Sequence, residues 1–342
     1  DIPAGYTLGE GVSATADVVI AEKTSTLADG KYMVKVTALN EDDDGNSSMA
    51  AMLAEDAVVK VDKGQATAII RFVRGDLDGT VRNGNNVLPP VTTEVNSESV
   101  EGKRLSQSSY DYTSTYEITI NDISGLTKVT ASIRGAGDRT FCLKFENPTA
   151  FSQGPVEIPD QNLHNAICSL LGEDPEQQYV IQKEDMEWLR GYLNLVNKGI
   201  RDLTGLRHAV NVTWLNLNNN GLGNLVSLEA IIGEIARLPN LEQLSLSNNG
   251  LTTLPAIPGM AKLKVLNLSD NALTSLSTIG DMPNLEEINL QTNQLTDLPA
   301  FSALPALSTF NGSANKFARV PESLFNLASL VTLDLSGNEI TE

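Results

Sequence analysis

From Leu215 to Asn338 one arrangement of apolar and polar positions keeps returning. It reads Leu215-x-Leu217-x-x-Asn220, Leu244-x-Leu246-x-x-Asn249, Leu266-x-Leu268-x-x-Asn271, Ile288-x-Leu290-x-x-Asn293, Phe310-x-Gly312-x-x-Asn315 and Leu333-x-Leu335-x-x-Asn338. The first apolar residues stand 29, 22, 22, 22 and 23 positions apart, and a worn copy beginning at Leu193 precedes the first by 22. Alternation over so few residues predicts a short strand, with the two apolar side chains inward and the x residues outward. The closing Asn falls where the chain must turn, and its amide can serve backbone groups that the turn leaves unpaired. One coil cannot bury its own leucines, so the pattern predicts stacked coils that share one core.

The first half alternates without repeating. Residues 31–37, 57–61, 66–72, 116–120, 129–133 and 141–145 predict strands, separated by Gly, Asn and Asp clusters. Strands at this spacing predict an antiparallel sandwich of immunoglobulin-like kind. The polar stretch 75–109 predicts long loops, with an edge strand among them. Residues 46–53 predict one helical turn capped by Ser47 or Ser48, with Met49, Met52 and Leu53 covering the mouth of the sandwich. After a Gly/Pro link at 151–155, Asp160 caps a helix over 162–171 that Gly172 stops. A second short helix spans 181–189. The long interval after Leu217 predicts a third, apolar at Leu228, Ile231, Ile232, Ile235 and Leu238.

The recurring phrase resembles the leucine-rich-repeat signature. The fold class expected is therefore multidomain. An all-β sandwich (1–150) and a linker (151–155) lead into an α/β leucine-rich-repeat solenoid, with a helical N-terminal cap (156–190) and repeats (191–342).

Charge narrows the partners. The chain of 342 residues has a net charge of −19. Residues 1–150 hold 22 acids and 14 bases, and the remainder 21 and 10. Both halves repel polyanions, which argues against nucleic acid. No apolar run of 18 residues occurs, so no membrane-spanning segment is expected. Cys142 and Cys168 are expected to be buried thiols, one in each domain. The initial Asp1 suggests a trimmed chain. Glu342 follows directly on a repeat phrase, which predicts that the natural chain continues or that another surface covers this end.

The segments Asp29–Thr37, Ser48-Met49 and Val58–Gly64, with the late strand 136–145, resemble a near-iron-transporter (NEAT) domain over residues 28–146. That resemblance implies a β-sandwich on a Gram-positive cell surface, and many members bind haem. Ser48 and Met49 match the pair that covers one haem face. The two tyrosine positions of the late strand fall on Gly137 and Phe141, neither of which can ligate iron. The pocket implied by the resemblance is Ser48, Met49 and Phe141. The stretch 156–342 is similar to internalin-like surface proteins, through Ile158–Asp160, Asp185-Met186 and Gly199–Leu206. That likeness implies a secreted or wall-associated bacterial protein that grips a partner.

The outward positions Tyr192, Trp214, Asn216, Gln243, Val265 and Glu287 are the candidate ligand-binding residues on the concave face, with the two aromatics as neighbouring anchors. The acidic run 41–46 lacks calcium-loop spacing. Arg74-Gly75-Asp76 matches an integrin-binding tripeptide that arises readily by chance. His164 and His208 stand alone, without a zinc pattern. No nucleophile, phosphate loop or paired acids suggest catalysis. The expected function is non-catalytic binding or adhesion to a protein or glycan, with no cofactor and no assigned oligomeric state. The alternative is acquisition of haem or a haemoprotein through the first domain.

Overall fold

The computed structural model describes residues 27–40, 50, 53–72, 91–95, 98–101, 103–107, 114–120, 123, 125–133, 137–151, 153–177, 179–224, 228–277, 279–301 and 304–341. Two compact units share the chain, with the main boundary between Ala150 and Phe151. The residues 41–49 and 74–76 lie outside the described set, and with them the acidic run, the Arg-Gly-Asp tripeptide and the expected pocket residues Ser48 and Met49.

The chain up to Ala150 is built of strands throughout its described elements. They are β1 (Gly30–Leu39), β2 (Asp56–Asp62), β3 (Gln65–Phe72), β4 (Val91–Val95), β5 (Glu98–Glu101), β6 (Lys103–Gln107), β7 (Ser114–Ile120), β8 (Leu126–Ile133) and β9 (Gly137–Ala150). They hydrogen-bond in one continuous order, β5-β4-β8-β9-β1-β2-β3-β7-β6. The expected pair of facing sheets is thus a single sheet that approaches a barrel. Every pair whose register is described is antiparallel. Alternate residues build the interior: Val34 pairs with Ala57, Val36 with Phe145 and Val129 with Phe141, and all six are buried. Lys63 (φ 51°) and Gly64 (φ 78°) form the two-residue link between β2 and β3, the left-handed pair that suits a tight hairpin.

Within 75–109, expected as long loops with an edge strand, the described residues hold three strands: β5 and β6 are the two edges of the sheet, and β4, which was not expected, lies inside it. The alternation of β4 is weak because its middle inward position is Thr93 rather than an aliphatic residue. Pairing of Thr93 with Val129 supplies what local pattern does not.

The second unit opens with α1 (Gln161–Leu171), whose first turn is closed by Asp160 Oδ1 accepting from Leu163 N at 2.9 Å. Gly172, at φ 70°, ends it in a left-handed cap. The second helix, α2 (Lys183–Trp188), is shorter than expected. Asp185 anchors it by accepting from Gln182 N at 2.8 Å and from the Tyr179 hydroxyl. Burial, reinforced by the charge of Asp185, pushes the Tyr179 pKa up, so this hydroxyl remains a donor.

A seven-stranded parallel sheet follows in strict chain order: β10 (Arg190–Asn194), β11 (Asn211–Asn216), β12 (Gln243–Ser245), β13 (Val265–Asn267), β14 (Glu287–Asn289), β15 (Thr309–Asn311) and β16 (Thr332–Asp334). Its register places Leu193, Leu215, Leu244, Leu266, Ile288, Phe310 and Leu333 side by side. The first six are 3% exposed or less, and Leu333 in the last strand is 45% exposed. The longer interval holds α3 (Leu228–Ile235), with Leu228, Ile231, Ile232 and Ile235 buried. Glu234, on the same helix and also buried, is paired with Arg207 at 3.5 Å and Arg237 at 3.6 Å.

The closing asparagines tie each coil to its neighbours. Asn271 Nδ2 donates to the carbonyls of Leu246 at 3.1 Å and Leu268 at 3.0 Å, and its Oδ1 accepts from the backbone N–H groups of Asn249 and Leu251. The amides of Asn220, Asn249, Asn293, Asn315 and Asn338 donate in the same two directions, to their own coil and to the preceding one. The residue before each of these asparagines has a left-handed backbone: Asn219, Asn248, Asp270, Thr292 and Ala314 at φ 52–60°, and Gly337 at φ 67°.

Candidate functional site

The parallel register decides which outward side chains can act together. Tyr192, Trp214, Gln243, Val265, Glu287, Thr309 and Thr332 stand opposite one another on successive strands. Six strand spacings of about 4.8 Å give a row about 29 Å long. The first six side chains of the row are half-buried and Thr332 is exposed. At the helical end the rings of Tyr192 and Trp214 lie 4.4 Å apart, tilted by 47°. A tilted aromatic pair on a sheet offers a broad apolar contact that loses little conformational freedom when a partner lands on it.

Asn216 does not belong to this row. It is 6% exposed, and its Nδ2 donates to Tyr192 Oη at 3.0 Å. Its Oδ1 accepts from Asn218 N, two residues on, at 3.1 Å. Asn194, Asn267, Asn289, Asn311 and Asp334 make the same local bond to the second residue after them. These side chains hold the backbone as it leaves each strand. The signal was present in the sequence, since Asn or Asp recurs between the two apolar residues, and such side chains favour bonds to backbone two positions on. Asn216 therefore acts on Tyr192 rather than offering its own face.

Beyond these asparagines a polar chain runs across coils. Ser245 Oγ donates to Asn218 Oδ1 at 2.8 Å, and Ser269 Oγ donates to Ser247 Oγ at 3.2 Å. Ser245, Ser247 and Ser269 are buried. At the other margin Lys264 Nζ lies 2.8 Å from Glu242 Oε2. That hydrogen bond, with the charges of Glu242 and Glu286, raises the Lys264 pKa. Backbone donation from Ser336 lowers that of Asp334. Gln243, Val265 and Glu287 thus present an amide, an aliphatic surface and a carboxylate in sequence along the row.

The pocket suggested for haem is only partly described. Gly137 and Phe141 both lie on β9, and Phe141 is fully buried. Neither supplies an oxygen, so these two positions do not fit a tyrosinate-ligated haem. Cys142 and Cys168 are buried and not bonded to each other. His164 Nε2 lies 2.8 Å from the Tyr179 carbonyl, which only accepts, so Nε2 carries the hydrogen and Nδ1 faces Cys168 Sγ at 3.6 Å. Among the described residues no group of three or more His, Cys, Asp or Glu is placed to hold a metal ion. Nor is any described helix long and apolar enough to cross a membrane.

Family models for leucine-rich repeats match residues 240–260, as one repeat, and 261–311, as two copies. No curated protein matches the chain. Among solved structures, the NEAT5 domain of IsdX2, a B. anthracis hemophore in complex with heme, aligns with 16% identity over 35% of this chain and 97% of that one, at a TM-score of 0.30. An internalin (inlF) from Listeria monocytogenes aligns with 16% identity over 56% and 75%, at 0.27. The Drosophila Toll–Spatzle complex aligns with 28% identity over 42% and 20%, at 0.38. At such scores the repeat assignment rests on the family models and on the strand register.

Proposed function

We propose that this leucine-rich-repeat chain is a non-catalytic binding protein of a bacterial surface or secretion, and that the outward face of its parallel sheet grips a protein or glycan. In this reading residues 191–342 form a solenoid and residues 156–190 its helical cap. The segment 151–155 links them to a NEAT-like β domain over 1–150. The observation that carries the reading is the unbroken row Tyr192-Trp214-Gln243-Val265-Glu287, aligned by register and headed by a tilted aromatic pair. A row of half-buried side chains about 19 Å long, from Tyr192 to Glu287 on adjacent strands, suits recognition of an extended surface rather than turnover of a small substrate. Leucine-rich-repeat proteins are in general protein-binding, which supports the same class of partner.

The test is a screen of the full chain against arrays of glycans and of displayed extracellular proteins, repeated with Trp214→Ala and Val265→Arg. The reading expects at least one hit whose affinity falls ten-fold or more in both variants while their melting temperatures hold. Hits that both variants bind as well as the parent would place recognition elsewhere on the molecule.

A further inference from the structure

Inside the nine-stranded sheet two polar side chains are buried where the fold gives them no protein partner. Thr93, on β4, is 2% exposed, and Thr127, on β8, is 1% exposed. Neither Oγ1 makes a hydrogen bond. Natural interiors pair such hydroxyls with protein groups or with ordered water, because an unpaired one forfeits the hydration it had in the unfolded chain.

Their placement is specific. Thr93 stands directly opposite Val129. Thr127 precedes Val129 by two residues on the same strand, so it shares that face and is the diagonal neighbour of Thr93. On the far side, Val129 pairs with Phe141 and Thr127 with Leu143. Val129, Phe141 and Leu143 are all fully buried, so the surroundings are apolar and closed. Diagonal neighbours in an antiparallel pair have Cα atoms about 7–8 Å apart, with side chains closer. One water bonded to both hydroxyls, its two bonds meeting near the tetrahedral angle, holds the oxygens about 4.5 Å apart, within reach of side chains that lean toward each other from such positions.

We propose that Thr93 and Thr127 together form an internal water site, in which one ordered water bridges the two hydroxyls. The site has a use. β4 has little apolar alternation of its own, and a slip of one residue would turn Thr93 to the opposite face. A water shared between β4 and β8 favours the one register in which both hydroxyls meet it.

Two measurements on the full chain test this. A high-resolution crystal structure should show a density peak within hydrogen-bond distance of both Oγ1 atoms. A structure in which either hydroxyl bonds a protein group, or in which no peak lies between them, overturns the proposal. The near-isosteric variants Thr93→Val and Thr127→Val give an independent reading by calorimetry. With the bridge present, each single change lowers the melting temperature of the first unit by several degrees, and the double variant melts no lower than the worse single one. Single changes that leave the melting temperature unchanged or raise it, with effects that add in the double variant, refute the bridge.

Discussion

The carboxylate of Asp160 accepts the backbone N–H of Arg201 at 2.7 Å while its other oxygen caps α1 through Leu163 N. Asp202 N also donates to the same Oδ2, at 3.1 Å. One side chain thereby joins the first helix to the turn that follows the first strand of the parallel sheet. Replacing Asp160 with Ala leaves three backbone donors to find water or go unpaired. The expected loss is about 2–4 kcal/mol, an N-cap plus further charge-assisted bonds. Asp160→Asn, which keeps a single acceptor oxygen, should lose less. Urea denaturation followed by far-UV circular dichroism measures both.

The closing asparagines should be unequal to their neighbours. Asn271 serves carbonyls in two coils and accepts from Asn249 and Leu251, whereas Asn267 makes one local bond to Ser269. Asn271→Ala strands several inner groups at once and should cost about 3 kcal/mol or more, while Asn267→Ala should cost about 1 kcal/mol or less. A difference smaller than the error of denaturation curves would count against the ladder as a source of stability.

Thr292 sits at φ 56°, a region that β-branched residues disfavour. Asn219, Asn248 and Gly337 hold the matching place in other coils, and these residue types tolerate it. Thr292→Gly should therefore stabilise the fold by about 0.5–1 kcal/mol, strain relief being partly offset by the greater freedom of unfolded Gly. Loss of stability in that variant would mean that the Thr292 side chain contributes more than its backbone costs.

Burial, followed by the nearby charges of Arg207 and Lys183, lowers the His208 pKa from 6.5. The folded protein then favours the neutral ring. Stability from this group is fully present above the unfolded value and falls as pH drops through it, levelling off below the folded pKa. Melting temperatures taken from about pH 8 down to about pH 5 should show this decline, and His208→Gln should flatten it in that window. Equal slopes in the two proteins would assign the decline to other groups.

Gly137 and Phe141 occupy the positions where the NEAT resemblance places iron-binding tyrosines. Haemin added to the full chain should give no Soret shift that saturates at one equivalent. A saturating shift would revive the haem-acquisition reading and direct attention to the segment around Ser48 and Met49.

Several features could be read before any coordinates. The strands of the repeat, the capping role of Asp160, the stop at Gly172 and the third helix follow from spacing and residue type, because each depends on neighbours within a few positions. Asn216 stands among the candidate ligand contacts by its position, while the structure shows it 6% exposed and bonded to Tyr192. Its apolar–polar alternation points it outward correctly, yet whether an outward amide is free or already bonded depends on Tyr192, which arrives from the previous coil. An edge strand was legible within 75–109, and β5 and β6 are the edges of the sheet, but β4, which lies inside it, is held by pairing with β8 rather than by its own pattern.

Sequence alone determined the period of the repeat, the inward leucines and the asparagines that close each phrase, since a 22-residue spacing admits no other shared core. Only the tertiary structure decided that the nine early strands join into one sheet and that the Tyr192 ring lies tilted against Trp214. It also decided that Thr93 and Thr127 lie buried side by side. The physical reason is distance along the chain: contacts between residues many positions apart are set by register and closure, which no local run of side chains encodes.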